Sequence, residues 1–340
     1  MDGYALLTGL DRLDRLRCLV RLNFTEVVVR TERMVTTSVI IPTHDRPQLL
    51  IRAVESARAA GTDVEVIVVD DASIDDTAKV CRGLNGIRYV RLERNQGVAG
   101  ARNVGIMESS GRYIAFLDDD DLRLPGSLDI QAAVLDANPE VGFVCGAMIM
   151  ANQDYEPTGE VFLPRESGDV FWNLLELDFP VMPLSTLIRK ECFLRVGLLN
   201  ERLTGIDDWD ILTRIAEIYS VLVIEDPMGI YRQPTPSSAQ GSSSQSAQLR
   251  RAARHQLQLL ELPRARDAGP GKRRATRRRA INRIADTLLS SAARGFPLGE
   301  YGAVCANILG ALRMNPLRAA RPGAYKKLAE HLFAKRATET

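Results

Sequence analysis

The 340-residue sequence lacks several features that would settle its class at once. No apolar run approaches the ~18 residues that a membrane-spanning helix needs. The opening residues show no basic stretch followed by an apolar core, so no secretory signal is read there. The five cysteines, Cys18, Cys81, Cys145, Cys192 and Cys305, are scattered and form no Cys-x-x-Cys pair. That argues against a zinc site and for a reducing compartment. Histidine is scarce, with only His44, His255 and His331. His44 has no second histidine nearby, so it reads as a binding-pocket or packing residue rather than a metal ligand. His255 and His331 read as surface positions of a helical tail. The glycines at 97–105 form no strict Gly-x-Gly-x-x-Gly, which disfavours a dinucleotide fold. No internal repeat is present.

What is present is charge, unevenly placed. The net charge of +1 conceals about 20 Lys/Arg against 6 Asp/Glu in residues 250–340, with the remainder near −13. The organisation is equally uneven. Residues 1–34 read as an N-terminal leader; a start at Met34 would leave the following domain intact. From Thr37 strands and helices alternate: strands at Ser38–Ile41, Val64–Val69, Ile87–Leu92 and Tyr113–Leu117 follow one another across helices at 47–58, from about 75, and 98–108. Strands apolar on both faces, separated by helices, predict a parallel sheet covered on both sides. Residues 141–150 read as a buried strand, 152–190 as irregular, 207–219 as a helix and 221–224 as a strand. A Ser/Pro/Gln-rich linker follows at 236–246. Residues 247–340 form a basic helical region, with helices at about 247–262, 272–294, 299–313 and 317–335, broken at Pro263, Gly269-Pro270, Pro297 and Pro316.

In sheets of this kind ligands bind beyond the carboxyl ends of the strands. Three acidic groups fall there or beside a helix start: Asp70-Asp71, Asp118-Asp119-Asp120-Asp121 and Asp207-Asp208. Four adjacent aspartates after a buried strand repel one another and raise each other's pKa. A divalent cation relieves that repulsion, and hard oxygen ligands suit Mg²⁺ or Mn²⁺. The bland alternative is a solvated turn capping the next helix. Asp70-Asp71 could likewise only cap a helix, and Asp207-Asp208 could only favour a helix N-terminus.

Four blocks then carry a resemblance. Ser38-Val39-Ile40-Ile41-Pro42-Thr43-His44-Asp45-Arg46-Pro47, Val68-Val69-Asp70-Asp71-Ala72-Ser73, Asn95-Gln96-Gly97-Val98-Ala99-Gly100-Ala101-Arg102-Asn103 and Phe116-Leu117-Asp118-Asp119-Asp120-Asp121 resemble glycosyltransferase family 2 in order and spacing. The likeness resumes at Asp207-Asp208-Trp209-Asp210, so it spans roughly 36–235. It implies an α/β, A-type glycosyltransferase fold: a mostly parallel central sheet flanked by helices, here with a helical C-terminal extension. The catalytic domain would span 35–235, with a nucleotide-sugar half at 35–125 and an acceptor half at 126–235.

The resemblance also implies roles. Pro42, Thr43 and His44, with Asp45 beside them, would line the base pocket of a nucleotide-diphosphate sugar. Asp71 would accept a hydrogen bond from base or ribose, and Arg102 would lie near the phosphates. Asp120 would contact a divalent metal, Mg²⁺ or Mn²⁺, with Asp119 nearer the ribose or metal. Asp208 would be the catalytic base, with Asp207 its neighbour and fallback. The implied activity is inverting, metal-dependent sugar transfer to a glycan or lipid-linked acceptor in polysaccharide or glycolipid assembly.

Two departures matter. Relatives often carry Tyr-Arg-x-His after the second acidic motif, but this chain has Tyr231-Arg232-Gln233-Pro234. It also lacks Gln-x-x-Arg-Trp, which disfavours a processive synthase. Trp209 reads as an acceptor platform or a core residue, and Trp172 as core. The basic tail, with Lys272-Arg273-Arg274 and Arg277-Arg278-Arg279, suits an anionic membrane surface or docking on the acidic domain; nucleic acid is disfavoured. The expected setting is cytoplasmic and peripheral at the inner face of the cell membrane. Two other readings stand beside this one: a sugar-nucleotide nucleotidyltransferase, and a catalytically inactive carbohydrate- or lipid-binding scaffold.

Overall fold

The computed structural model describes residues 36–164, 166–179, 181–203, 205–233, 247, 250, 253–296 and 299–320. The leader at 1–34, the linker at 236–246 and the helix expected beyond residue 320 lie outside the described residues.

The first half alternates as expected. Strands β1 (Thr37–Thr43), β2 (Val64–Asp70), β3 (Ile87–Arg91) and β4 (Tyr113–Phe116) are joined across helices α1 (Pro47–Ala59), α2 (Thr77–Gly83) and α3 (Gly97–Glu108). These four strands are parallel, in the order β3-β2-β1-β4. Their residues alternate between two cores, the period-2 signature of a sheet buried on both sides. Ile40, Ile67, Val69, Ile114 and Phe116 face α3. Val39, Ile41, Val66, Val68, Ala115 and Leu117 face the buried stripe of α1, Leu50-Ala53-Val54-Ala57. Gly105 lets α3 lie close on β1: a Cβ there would sit 2.3 Å from Ile40 Cγ2.

Pro42 sits inside β1 without harming it. Ile40 O accepts from Leu117 N, so every second residue of β1 turns its backbone polar groups toward β4. β4 ends opposite Ile40. The missing N–H of Pro42 therefore faces the gap beyond that end, where no ladder bond is lost.

Past β4 the sheet becomes mixed. β5 (Leu122–Arg123), β6 (Val141–Ala151), β7 (Pro157–Phe162), β8 (Thr186–Arg189) and β9 (Ser220–Arg232) complete the order β3-β2-β1-β4-β8-β6-β9-β5, with β7 paired to β6. β6 and β9 are parallel, whereas β8 runs antiparallel to both β4 and β6. The stretch 152–190, which reads as irregular in sequence, thus contains β7 and β8. β7 is exposed along nearly its whole length and β8 has only four residues, so neither shows a clear apolar period. Helices α4 (Ser127–Ala137), α5 (Phe171–Leu175), α6 (Lys190–Val196) and α7 (Asp207–Ala216) cover this half.

The C-terminal helices α8 (Pro263–Asp267), α9 (Gly269–Gly295), α10 (Tyr301–Met314) and α11 (Pro316–Ala319) follow. Pro263, Pro270 and Pro316 open helices at N1 or N2, where the missing N–H is tolerated. Gly269-Pro270 therefore starts α9 rather than breaking a helix. Leu259, Leu260 and Ala265 join the same core as Ile40. Gln256 donates to Leu174 O and Leu175 O. The tail also docks by charge: Arg264 pairs with Asp169, Arg279 with Glu176 and Arg283 with Asp178. On α9, Arg274, Arg277 and Arg278 form an exposed stripe at i, i+3, i+4 spacing.

Candidate active site

The acidic groups converge at the carboxyl ends of β1, β2 and β4. There a cleft of ≈ 460 Å³ is lined by Pro42, Thr43, His44, Asp71, Arg102, Asp118–Asp121, Asp207 and Asp208, among others. Of the expected residues only Asp45 falls outside this lining. It occupies the left-handed region (φ 53°) and accepts from Ile74 N at 2.8 Å. Its own N–H donates to Ser73 Oγ. Asp45 therefore staples the loop after β1 to the loop after β2.

The two carboxylates at the end of β2 divide their work. Asp70 is fully buried and accepts from Tyr89 Oη at 2.6 Å and from Ser73 N at 2.8 Å. Burial opposes its charge, but these bonds and the Arg91 charge outweigh burial and hold the carboxyl below its ordinary range. Asp71 faces the cleft and accepts from Gln96 N at 2.6 Å and Gly97 N at 2.8 Å. It thereby anchors the start of α3, an N-terminus favourable to negative charge.

The four aspartates have four different environments. Asp118 accepts from Arg102 Nη2 at 2.7 Å. Asp119 accepts from Thr43 Oγ1 at 2.7 Å and Arg46 Nη1 at 3.1 Å. Asp120 accepts from the same Arg46 nitrogen at 3.1 Å. Asp121 accepts from Arg232 N at 2.9 Å. Burial pushes the Asp119 carboxyl up to about 7, with the Arg46 charge opposing. Burial, then the Asp118 charge, raises Asp120 and raises Asp121 strongly. The tetrad is therefore short of positive charge.

Helix α7 brings the last pair. Arg102, on α3 and 3% exposed, donates to Asp207 Oδ2 at 3.1 Å as well as to Asp118. Its guanidinium also lies 5.3 Å from the Phe116 ring centre. Arg102 is thus a buried strap between β4 and α7, and it also lines the cleft. Asp208 is only partly buried and accepts from the adjacent Trp209 N. Burial and the Asp207 charge push it up to about 7. Trp209 does not line the cleft; its Nε1 donates to Leu174 O and its ring packs on the core.

Asp210 points the other way. It accepts from Arg214 and lies 2.7 Å from His255 Nε2. Despite burial, these partners hold its carboxyl below the ordinary range. His255 is therefore a contact between tail and α7, not a surface position. A pairing across 45 residues leaves no local pattern in sequence.

Tyr231, from the segment that departs from Tyr-Arg-x-His, also lines the cleft; Arg46, Glu201, Gly205 and Met182–Leu184 line it without a sequence signal of their own. Arg46 at least lies inside a recognised block. Arg232, at the altered Tyr-Arg-Gln segment, donates from Nε to Gln153 O and stacks 5.6 Å from the Tyr155 ring centre. Among the described residues no cluster of three or more His, Cys, Asp or Glu is arranged to hold a metal.

Residues 38–180 match the model of the family described as Glycosyl transferase family 2. The chain is 30% identical over 183 residues to an uncharacterized glycosyltransferase of Haemophilus influenzae, covering 53% of this chain and 62% of that protein. It is 41% identical over 92 residues to the succinoglycan biosynthesis protein ExoO of Rhizobium meliloti, covering 26% of each. In both matches the chain spans less than two thirds of the relative's length. The crystal structure of S. aureus TarS 1-349 in complex with UDP-GlcNAc is similar with a TM-score of 0.56 and 19% identity, over 84% of this chain and 82% of that one. That likeness shows a shared fold.

Proposed function

Because residues 38–180 belong to glycosyl transferase family 2, we propose that the chain moves a sugar from a nucleotide-diphosphate donor to an acceptor hydroxyl, inverting the anomeric carbon. The observation that carries this reading is one cleft lined by Asp71, Asp120 and Asp208, which come from three distant stretches of chain.

In this reading Pro42, Thr43 and His44 wall the base pocket. Asp71 has acceptor capacity beyond its two backbone bonds and receives a hydrogen bond from base or ribose. Asp208 takes the proton of the acceptor hydroxyl as attack proceeds, a role suited to a carboxyl titrating near neutrality. Asp207, held by Arg102, keeps the base's end of α7 in place. A single base opposite the leaving group gives in-line displacement. The UDP and UDP-GlcNAc complexes of TarS support a uridine nucleotide as the first donor to test. The name of ExoO supports polysaccharide or glycolipid assembly.

A divalent ion, Mg²⁺ or Mn²⁺, fits the donor set. Such ions bind through one or two carboxylates together with phosphate oxygens, and Asp119 and Asp120 lie in a tetrad short of positive charge. The ion would offset charge on the leaving diphosphate. A peripheral position on an anionic membrane belongs to the same proposal, supported by the exposed stripe of Arg274, Arg277 and Arg278.

The test is nucleoside-diphosphate release from a panel of sugar nucleotides, with Mg²⁺, Mn²⁺ or chelator. Release confined to one donor and abolished by chelator is expected. Nucleotide binding with no turnover across a broad acceptor panel would favour the inactive scaffold.

A further inference from the structure

Arg46 stands in the turn between β1 and α1 and borders the cleft. One of its nitrogens, Nη1, lies 3.1 Å from Asp119 Oδ1 and 3.1 Å from Asp120 Oδ2. An arginine well matched to a carboxylate makes two parallel bonds of roughly 2.7–2.9 Å. Here a single nitrogen is shared, at longer range, by two carboxylates. Its side chain is 30% exposed, while those of Asp119 and Asp120 are 6% and 9% exposed. The cation is the more exposed partner and the anions are the buried ones.

The other two aspartates are accounted for. Asp118 is held by Arg102 and Asp121 by the backbone of Arg232. Asp119 has Thr43 as a second donor. Among the described residues, Asp120 has no side-chain donor except Arg46. Among the described residues, Arg46 is therefore the only side-chain cation within bonding distance of the Asp119–Asp120 pair.

We infer that Arg46 is the resident counter-cation of Asp119 and Asp120, and that it competes with a divalent metal for this pair until a donor diphosphate offers its guanidinium another anion. The inference rests on the metal reading given above. It follows from charge alone. An ion entering without nucleotide meets a guanidinium already on its ligands, and like charges at this range repel. A diphosphate attracts both cations and removes that conflict. Metal and nucleotide then strengthen each other's binding, by the same factor in each direction. Arg46 would in this way keep the metal site weak until the donor is present.

The experiment is Mn²⁺ binding, measured by electron paramagnetic resonance with and without UDP, on folded wild type, R46M and R46K. Wild type should bind Mn²⁺ weakly alone and more tightly with UDP. R46M should bind Mn²⁺ alone roughly tenfold more tightly, the scale of one nearby charge, and gain less from UDP. R46K keeps a cation and should stay near wild type, which a merely structural role for Arg46 would not require. If R46M fails to fold by thermal melting, R46Q carries the same expectation. Mn²⁺ binding by the neutral variant that is unchanged or weaker, while wild type still binds Mn²⁺ with UDP, overturns the role of Arg46 alone. No Mn²⁺ binding by any variant, even with UDP, overturns the metal reading and this inference with it.

Discussion

Arg102 Nη1 lies 3.1 Å from Asp207 Oδ2, and no arginine reaches the adjacent Asp208 among the described hydrogen bonds. Both carboxylates line the cleft, and the strap pins Asp207 while leaving Asp208 without an arginine partner among the described residues. The difference bears on which of them can move a proton.

Asp208→Asn should lower transfer by roughly 10²–10⁴-fold, the usual range for a general base, while donor binding is kept. Asp207→Asn should instead lower the thermal midpoint, because it leaves the buried Arg102 with one carboxylate fewer. Steady-state rates, nucleotide titration and melting of both variants check this. Near-normal turnover of Asp208→Asn would move the base elsewhere.

Asp120→Asn should remove the dependence of donor binding on metal. Titrating UDP with and without Mn²⁺ measures it. A Mn²⁺ effect as large as in wild type would exclude Asp120 as the ligand.

The raised carboxyls give a pH signature with a definite sign. Asp119 and Asp208 sit at about 7 in the folded chain, against roughly 3.9 for an unfolded aspartate. A carboxyl raised in this way contributes stability that is complete below the unfolded value and lost as pH rises through about 7. Asp70 and Asp210 are lowered, so their contribution is lost only on acidification. The metal-free protein should therefore melt at a lower temperature at about pH 8 than at about pH 6. Asp119→Asn should flatten that slope. A midpoint that climbs over this interval would contradict the environments described for the two groups.

The tail should separate surface charge from docking charge. Replacing Arg274, Arg277 and Arg278 together by Gln should reduce sedimentation with anionic vesicles and leave the melting temperature within a few degrees. Arg279→Gln removes a pair with Glu176 that also receives Thr276, and should weaken docking instead. Equal sedimentation of the triple variant and wild type would remove the membrane proposal. Deleting α9 is a poor alternative, because Ala280, Ile284 and Leu288 are buried.

Much of the first half of the sheet was legible in sequence. Strands β1, β2 and β4 carry apolar runs, Val39–Ile41, Val66–Val69 and Tyr113–Leu117, each followed within two residues by a polar one, so both the sheet and the edge where ligands are expected could be located. The second half was harder to read. β8 is short and β7 exposed, and their pairing with β6 depends on partners far along the chain. At the site, the positions of Asp71, Asp120 and Asp208 came from local motifs, but their partners did not. The contact of Arg46 with Asp119 spans 73 residues, that of Arg102 with Asp207 spans 105, and that of His255 with Asp210 spans 45. Long-range ion pairs of this kind leave no period and no spacing, so sequence alone gives no sign that Arg102 bridges two carboxylates or that His255, which reads as a surface residue, contacts α7.

The most direct measurement is anomalous scattering from Mn²⁺ in a crystal grown with a UDP-sugar. The account predicts one manganese peak within coordination distance of the Asp120 carboxylate and of the diphosphate, with the sugar's anomeric carbon on the side of Asp208. A manganese bound away from the Asp119–Asp120 pair, or a nucleotide seated outside the cleft that Asp71 and Asp208 share, would contradict it.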